Sequence, residues 1–229
     1  MKVQLNAGRW LAGASLLMAT QLGVAGTIAG SAHDFTTGTS ATWSGGRICV
    51  VCHTTHNSDL SVSQAPLWSH RNSVATYTVY SSATIKATMG QPSALSKLCM
   101  SCHDGTVAVD SFISGGVMRA GTVNISTANN IGTDMRNDHP VSFPYNTASL
   151  TANPSLWDPA TKSVTIGSGA QTKTGTIANT ILFAGQLECS SCHDAHNTLT
   201  VAAVAPATTN YLLKVSTAGS AICTTCHNK

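Results

Sequence analysis

All eight cysteines of this 229-residue chain fall into a single spacing. Cys49 and Cys52, Cys99 and Cys102, Cys189 and Cys192, and Cys223 and Cys226 form four C-x-x-C pairs, each followed directly by a histidine: His53, His103, His193 and His227. Two thiols three positions apart on one turn can each form a thioether to one of a porphyrin's two vinyl groups. The adjacent histidine then sits beneath the iron as its proximal ligand. The motif therefore predicts four covalently held c-type haems. Zinc also uses C-x-x-C pairs, but nothing in tetrahedral zinc chemistry requires a histidine after every second cysteine. A disulfide framework would scatter its cysteines instead of repeating one spacing. With histidine at nine of 229 positions, four such placements arise by chance with a probability on the order of 10⁻⁵ to 10⁻⁶.

Five histidines lie outside the motifs: His33, His56, His70, His139 and His196. Four irons need four distal ligands, so all four haems can be bis-histidine with one imidazole left over. His56 follows His53 by three residues, and His196 follows His193 by three. Residues i and i+3 share one helical face, so neither can reach around to the far side of its own haem. Each can reach the iron of a neighbouring haem, which would fasten two haems side by side. Methionine is the alternative distal ligand and raises the potential. Met89, Met100, Met118 and Met135 read more readily as core fillers. Bis-histidine ligation implies low potentials and no vacant iron position. With nine Asp and Glu in all, no acidic cluster points to substrate chemistry, and no catalytic residue is assigned. Arg47, Arg71, Arg119 and Arg136 are natural partners for haem propionates.

The elements that must hold these groups are modest. Charged residues make up 9% of the chain and aromatics 5%, too few for an ordinary core of this size. Porphyrins would supply the missing apolar bulk, so the haem-free chain should be largely unfolded. Short helices are expected around the attachment sites, for example over 94–103. The insert 105–186 is rich in Thr, Ser, Gly, Asn and Val, and its alternating pieces at 121–126 and 162–167 read as short strands. The expected fold class is a multihaem cytochrome c, low in regular secondary structure, mostly coil with short helices and a few short strands packed around four haems.

Residues 1–26 read as a signal peptide: Lys2 and Arg9 precede an apolar run over 10–25, and small residues offer cleavage between 26 and 32. That run is too short to span a bilayer, and no second one follows. Residues 27–229 form the expected tetrahaem domain, exported to the cell surface or beyond, with the periplasm as the alternative. Removing Lys2 and Arg9 lowers the formal charge from +3 to about +1, and no basic run suggests nucleic acid.

Several strings carry a family resemblance: Ser31-Ala-His33-Asp-Phe35, Cys52-His-Thr-Thr-His56-Asn57, Pro66-Leu-Trp-Ser-His70, Asp138-His-Pro-Val-Ser-Phe143 and Cys192-His-Asp-Ala-His196-Asn197. Together they resemble the OmcE-like tetrahaem cytochromes of the extracellular cytochrome nanowire family. The resemblance covers nearly all of 27–229, including motif number and low charge. It implies head-to-tail homopolymers with a continuous haem chain, in which a subunit donates one axial histidine to its neighbour. His33, near the mature N-terminus, is the donor it suggests. The expected function is electron transfer to redox partner proteins or extracellular acceptors, with a monomeric periplasmic shuttle or a multihaem reductase as rivals.

Overall fold

The computed structural model describes residues 28–62, 64–207 and 210–229. The expected signal peptide lies outside them. Regular structure is sparse and local. In chain order it comprises α1 (Ser40–Ser44), β1 (Thr78–Val79), α2 (Ala94–His103), β2 (Ile113–Ser114), β3 (Val117–Met118), β4 (Asp134–Met135) and β5 (Phe143–Pro144). There follow α3 (Thr147–Ala152), β6 (Ser163–Ser168), β7 (Gln171–Thr176), α4 (Ile177–Thr180), β8 (Gln186–Leu187), α5 (Cys189–Cys192) and α6 (Ala221–Thr224). The strands make four separate two-stranded pieces: parallel β1–β4, and antiparallel β2–β3, β5–β8 and β6–β7.

The one helix of useful length, α2, carries the second cysteine pair over the span expected from sequence. It buries Leu98 and Met100 on its inner side, and its last carbonyls are closed by the Asp104 N–H, which donates to Met100 O at 3.0 Å. Gly105 then turns the chain at φ +73°, a left-handed conformation that favours glycine. The hairpin β6–β7 matches the alternation expected at 162–167. Ile166 faces inward, while the Thr165 and Thr174 hydroxyls meet at 2.7 Å outside. The other alternating piece, 121–126, is not a strand. Thr122 and Val123 instead direct their N–H groups to the buried Asp110 carboxylate, each at 2.8 Å. A side-chain acceptor has replaced the partner strand.

Apolar packing is divided among three small clusters instead of one core. Tyr145, Ile166, Ile177, Ile181, Leu182 and Leu187 form the largest, with Cys226 at its margin. Val62, Trp68 and Leu98 form a second against Cys52, and Tyr77, Met100 and Met135 a third. Met100 and Met135 thus fill core space, as their type favours. No described helix is long and apolar enough to cross a membrane.

Candidate haem-binding sites

Each C-x-x-C-H pentapeptide winds one α-turn. The His53 N–H donates to Cys49 O at 2.8 Å, His193 to Cys189 O at 3.0 Å and His227 to Cys223 O at 2.9 Å, while His103 ends α2. This closure brings both sulfurs of a pair onto one side of a turn. The chain then leaves extended, and His53, His193 and His227 each form a single β-bridge, to Trp68, Leu213 and Leu156. Helical turn followed by extended exit aims the histidine beside its two cysteines.

Backbone carbonyls fix three of these rings. Nδ1 of His53 donates to Pro66 O at 2.8 Å, that of His103 to Asn129 O at 2.8 Å, and that of His193 to Tyr211 O at 2.7 Å. An Nδ1–H bound to a carbonyl leaves Nε2 with its lone pair, the tautomer a metal needs. The same bond type recurs outside the motifs, from His33 to Ala195 O at 3.3 Å and from His139 to Pro140 O at 2.9 Å.

Three of the motif histidines each face one histidine from outside the motifs. Ring centroids are 6.1 Å apart for His53 and His196, 6.2 Å for His103 and His33, and 6.5 Å for His227 and His139. These separations lie at the long end of ordinary ring contact, and the His53 and His196 rings are nearly parallel, 18° apart. Two imidazoles on opposite sides of one metal, with N–metal bonds of about 2.0 Å and centroids roughly 1.2 Å behind the nitrogens, would stand roughly 6.4 Å apart. The observed gaps fit one metal ion between each pair. Among the described residues, no group of three or more His, Cys, Asp and Glu side chains gathers as a metal cluster. The nitrogen donors come in twos.

The remaining two histidines differ from each other. His70 is fully enclosed, with Nδ1 2.9 Å from Arg71 O and Nε2 3.1 Å from Ala108 O. Burial lowers its pKa below the usual value of 6.5, against the upward pull of those carbonyls. A neutral ring donates to one of these two carbonyls only, and Nε2 also lies 3.5 Å from Cys102 Sγ. His56 is exposed, and its ring makes no hydrogen bond or ring contact within the described chain. His193 is the motif histidine that faces no second imidazole at the spacing of the three pairs. His33, the donor suggested by resemblance, sits against His103 of its own chain.

None of the eight cysteines is fully buried: Cys49 and Cys223 are exposed and the other six half-buried. Burial pushes Cys52 up to about 11 and Cys226 up to about 12, and it raises Cys102 and Cys192 as well. Cys99 and Cys189, the first cysteines of the second and third motifs, share a hydrogen bond. The Cys189 sulfur and burial together hold the Cys99 thiol protonated. Contact between α2 and α5 thus brings the second and third C-x-x-C pairs edge to edge. The same hydrogen bond lowers the Cys189 pKa, so of the two it is the Cys99 thiol that is the poorer nucleophile.

The four arginines hold loops. Arg47 Nε donates to Ser44 O at 3.3 Å, Arg71 Nε to Ser111 Oγ at 3.1 Å, and Arg119 Nη1 to Trp43 O at 2.7 Å. Arg136 pairs with Asp134 at 2.6 Å on the surface. Met89 lines a small apolar cleft beside His139 with Val79, Pro92 and Val141.

Sequence reasoning passed over three acidic positions. Asp104 follows His103 directly, and its carboxylate accepts from Ser73 Oγ, from the Tyr77 hydroxyl at 2.5 Å, and from Thr106 N–H and Oγ at 2.7 and 2.8 Å. Burial opposes its ionisation, but these donors outweigh burial and keep its pKa low. Asp194 follows His193 and accepts from the N–H groups of His196, Thr198 and Leu199. The repeated His-Asp dipeptide was the available signal. Glu188 precedes Cys189 and takes the Ser96 and Ser142 hydroxyls. Compared with known proteins, the chain matches no family model and no curated protein.

Proposed function

We propose that the chain is an exported electron-transfer protein holding four c-type haems, with no catalytic chemistry of its own. The observation that carries this reading is the set of three histidine pairs 6.1–6.5 Å apart. Each pair contains the histidine of a C-x-x-C-H turn and one from a distant loop. Iron held in haem supplies one-electron chemistry, cycling between ferric and ferrous states. The protein's part is to tether and orient. Eight sulfurs supply the thioethers, carbonyl-bonded Nδ1 groups lock the ligating tautomer, and the three apolar clusters exclude water beside the tethers. The Cys99–Cys189 contact joins the second and third sites at their thioether edges.

In this reading His53–His196, His103–His33 and His227–His139 are axial pairs, and His70 is the spare. Resemblance to the extracellular cytochrome nanowires implies head-to-tail polymerisation with one axial histidine crossing between subunits. Among the described residues His193 faces no second imidazole at the spacing of the three pairs, and the exposed His56 ring makes no hydrogen bond, so we assign these two the cross-subunit roles. An interface of that kind does not close on itself and yields a filament. Exposed Leu60, Val74 and Val117 supply apolar surface for it.

The test is spectroscopic titration of the secreted protein. Four haems should titrate reversibly, low-spin in both oxidation states, with no carbon monoxide bound by the reduced form. A high-spin haem that binds carbon monoxide in the native protein would reassign the chain to a multihaem reductase.

A further inference from the structure

Two buried side chains of opposite charge flank the third cysteine pair. Lys214 is only 6% exposed, the one Lys or Arg among the described residues to be buried. Its Nζ donates to Ser190 O at 2.5 Å, within the Cys189–Cys192 turn, and lies 5.0 Å from the Phe183 ring centroid. Its backbone is pinned as well: the N–H donates to Cys192 O at 2.8 Å, and the carbonyl accepts from Gly167 N–H at 2.9 Å. On the other side, Glu188 is 1% exposed. Its Oε2 accepts from the Ser96 N–H at 3.3 Å, from the Ser96 hydroxyl, and from Ser142 Oγ at 3.0 Å. Ser96 lies on α2, which carries the second cysteine pair.

Neither charge is spent on an ion pair; the salt bridge among the described residues is Arg136–Asp134. Burying an ammonium and a carboxylate separately is expensive. Each nonetheless sits within a hydrogen bond of a haem-tethering turn. Burial lowers the pKa of Lys214 and the Lys173 ammonium adds to that, while the Asp194 carboxylate and the Cys192 sulfur favour its charge.

We propose that Lys214 and Glu188 tune the reduction potential at the third attachment site in opposite directions, Lys214 upward and Glu188 downward. This rests on the four-haem reading above. In the redox step one ferric iron accepts one electron from a reduced neighbouring site or an electrode. It becomes ferrous, no bond forms or breaks, and the local charge falls by one. A fixed cation nearby favours that product, and a fixed anion disfavours it. Glu188 stands at the junction of the second and third sites. Lys214 stands on the Cys192 side, where the sulfur feels Cys223 of the fourth motif. The two charges therefore slope the chain of sites, drawing electrons from the second toward the third.

Spectroelectrochemical titration of the secreted four-haem protein tests this with three variants. Lys214→Gln keeps an N–H donor for Ser190 O but removes the charge. It should lower one potential by about tenfold in that haem's reduction equilibrium, which is about 59 mV for a one-electron couple. Lys214→Arg keeps the charge and should leave that potential in place. Glu188→Gln should raise a potential. Shifts of the same sign in Lys214→Gln and Glu188→Gln, or no shift in either, would overturn the assignment. Glu188→Gln reads the same axis independently, so the assignment also fails if that variant alone leaves all four potentials unmoved. The haem count of the wild-type protein separates the two levels: fewer than four sinks the four-haem reading, whereas four haems with unmoved potentials sink only the tuning.

Discussion

His33, His139 and His196 meet their motif partners from loops distant in sequence, and each is held in place by local polar contacts. Asp34 closes a turn around His33 by accepting from the N–H groups of Gly30 and Thr36, and Asp194 does the same for His196. Replacing any one of the three with alanine should turn one haem in four high-spin, read by electron paramagnetic resonance. His70→Phe should leave all four low-spin. His70 also gives a pH signature. Burial depresses its pKa, so the folded chain binds fewer protons there than the unfolded chain. Its contribution to stability is complete above about pH 6.5 and is lost as pH falls through the depressed value. The thermal midpoint should drop between pH 7 and pH 5, and His70→Phe should shrink that drop. At the residue scale the four C-x-x-C-H turns were legible in sequence, because each closes within five consecutive residues. Which outside histidine faces which motif histidine was not legible, since the paired positions lie 70 to 143 residues apart in sequence. The buried charges were hidden for a related reason: nothing in the local strings at Glu188 or Lys214 says that water is excluded there.

The elements exist to present these groups. Helix α2 is tied down at its C-terminus by the Asp104 network, which gathers Ser73, Tyr77 and Thr106. The same network raises the Tyr77 hydroxyl to about 12, through burial first and then the neighbouring carboxylate. Asp104→Asn exchanges charge-assisted bonds for weaker neutral ones, and we expect a loss of roughly 1–3 kcal/mol in denaturant unfolding of the haem-bearing protein. Hairpin β6–β7 depends on Gly167, at φ +81°, where a Cβ would stand 2.0 Å from Gln171 O. Gly167→Ala should therefore lower the melting temperature, whereas Thr165→Ala on the solvent face should leave it nearly unchanged. The span of α2 and the β6 strand were readable from pattern. The non-strand at 121–126 was not, because alternation alone cannot reveal that Asp110 will capture two N–H groups first.

Across the whole molecule, the absence of a single core among the described residues and the burial that raises several of the thiols belong together. Three small apolar clusters are little to hold about 200 residues, and sulfurs with raised pKa values react poorly once enclosed. Haem attachment should therefore come before folding, on an extended chain. Haem-free chain should be largely unfolded by circular dichroism, and adding haem to it without an attachment apparatus should not restore covalent haem. Negative-stain imaging of secreted material should show filaments, whereas particles of monomer mass would favour a shuttle. One measurement reaches the central claim beneath all of these. Intact-mass spectrometry of the denatured, exported protein should find the mature chain plus four haems, retained after acid and organic extraction. A chain carrying fewer than four, or releasing them on denaturation, would contradict the account.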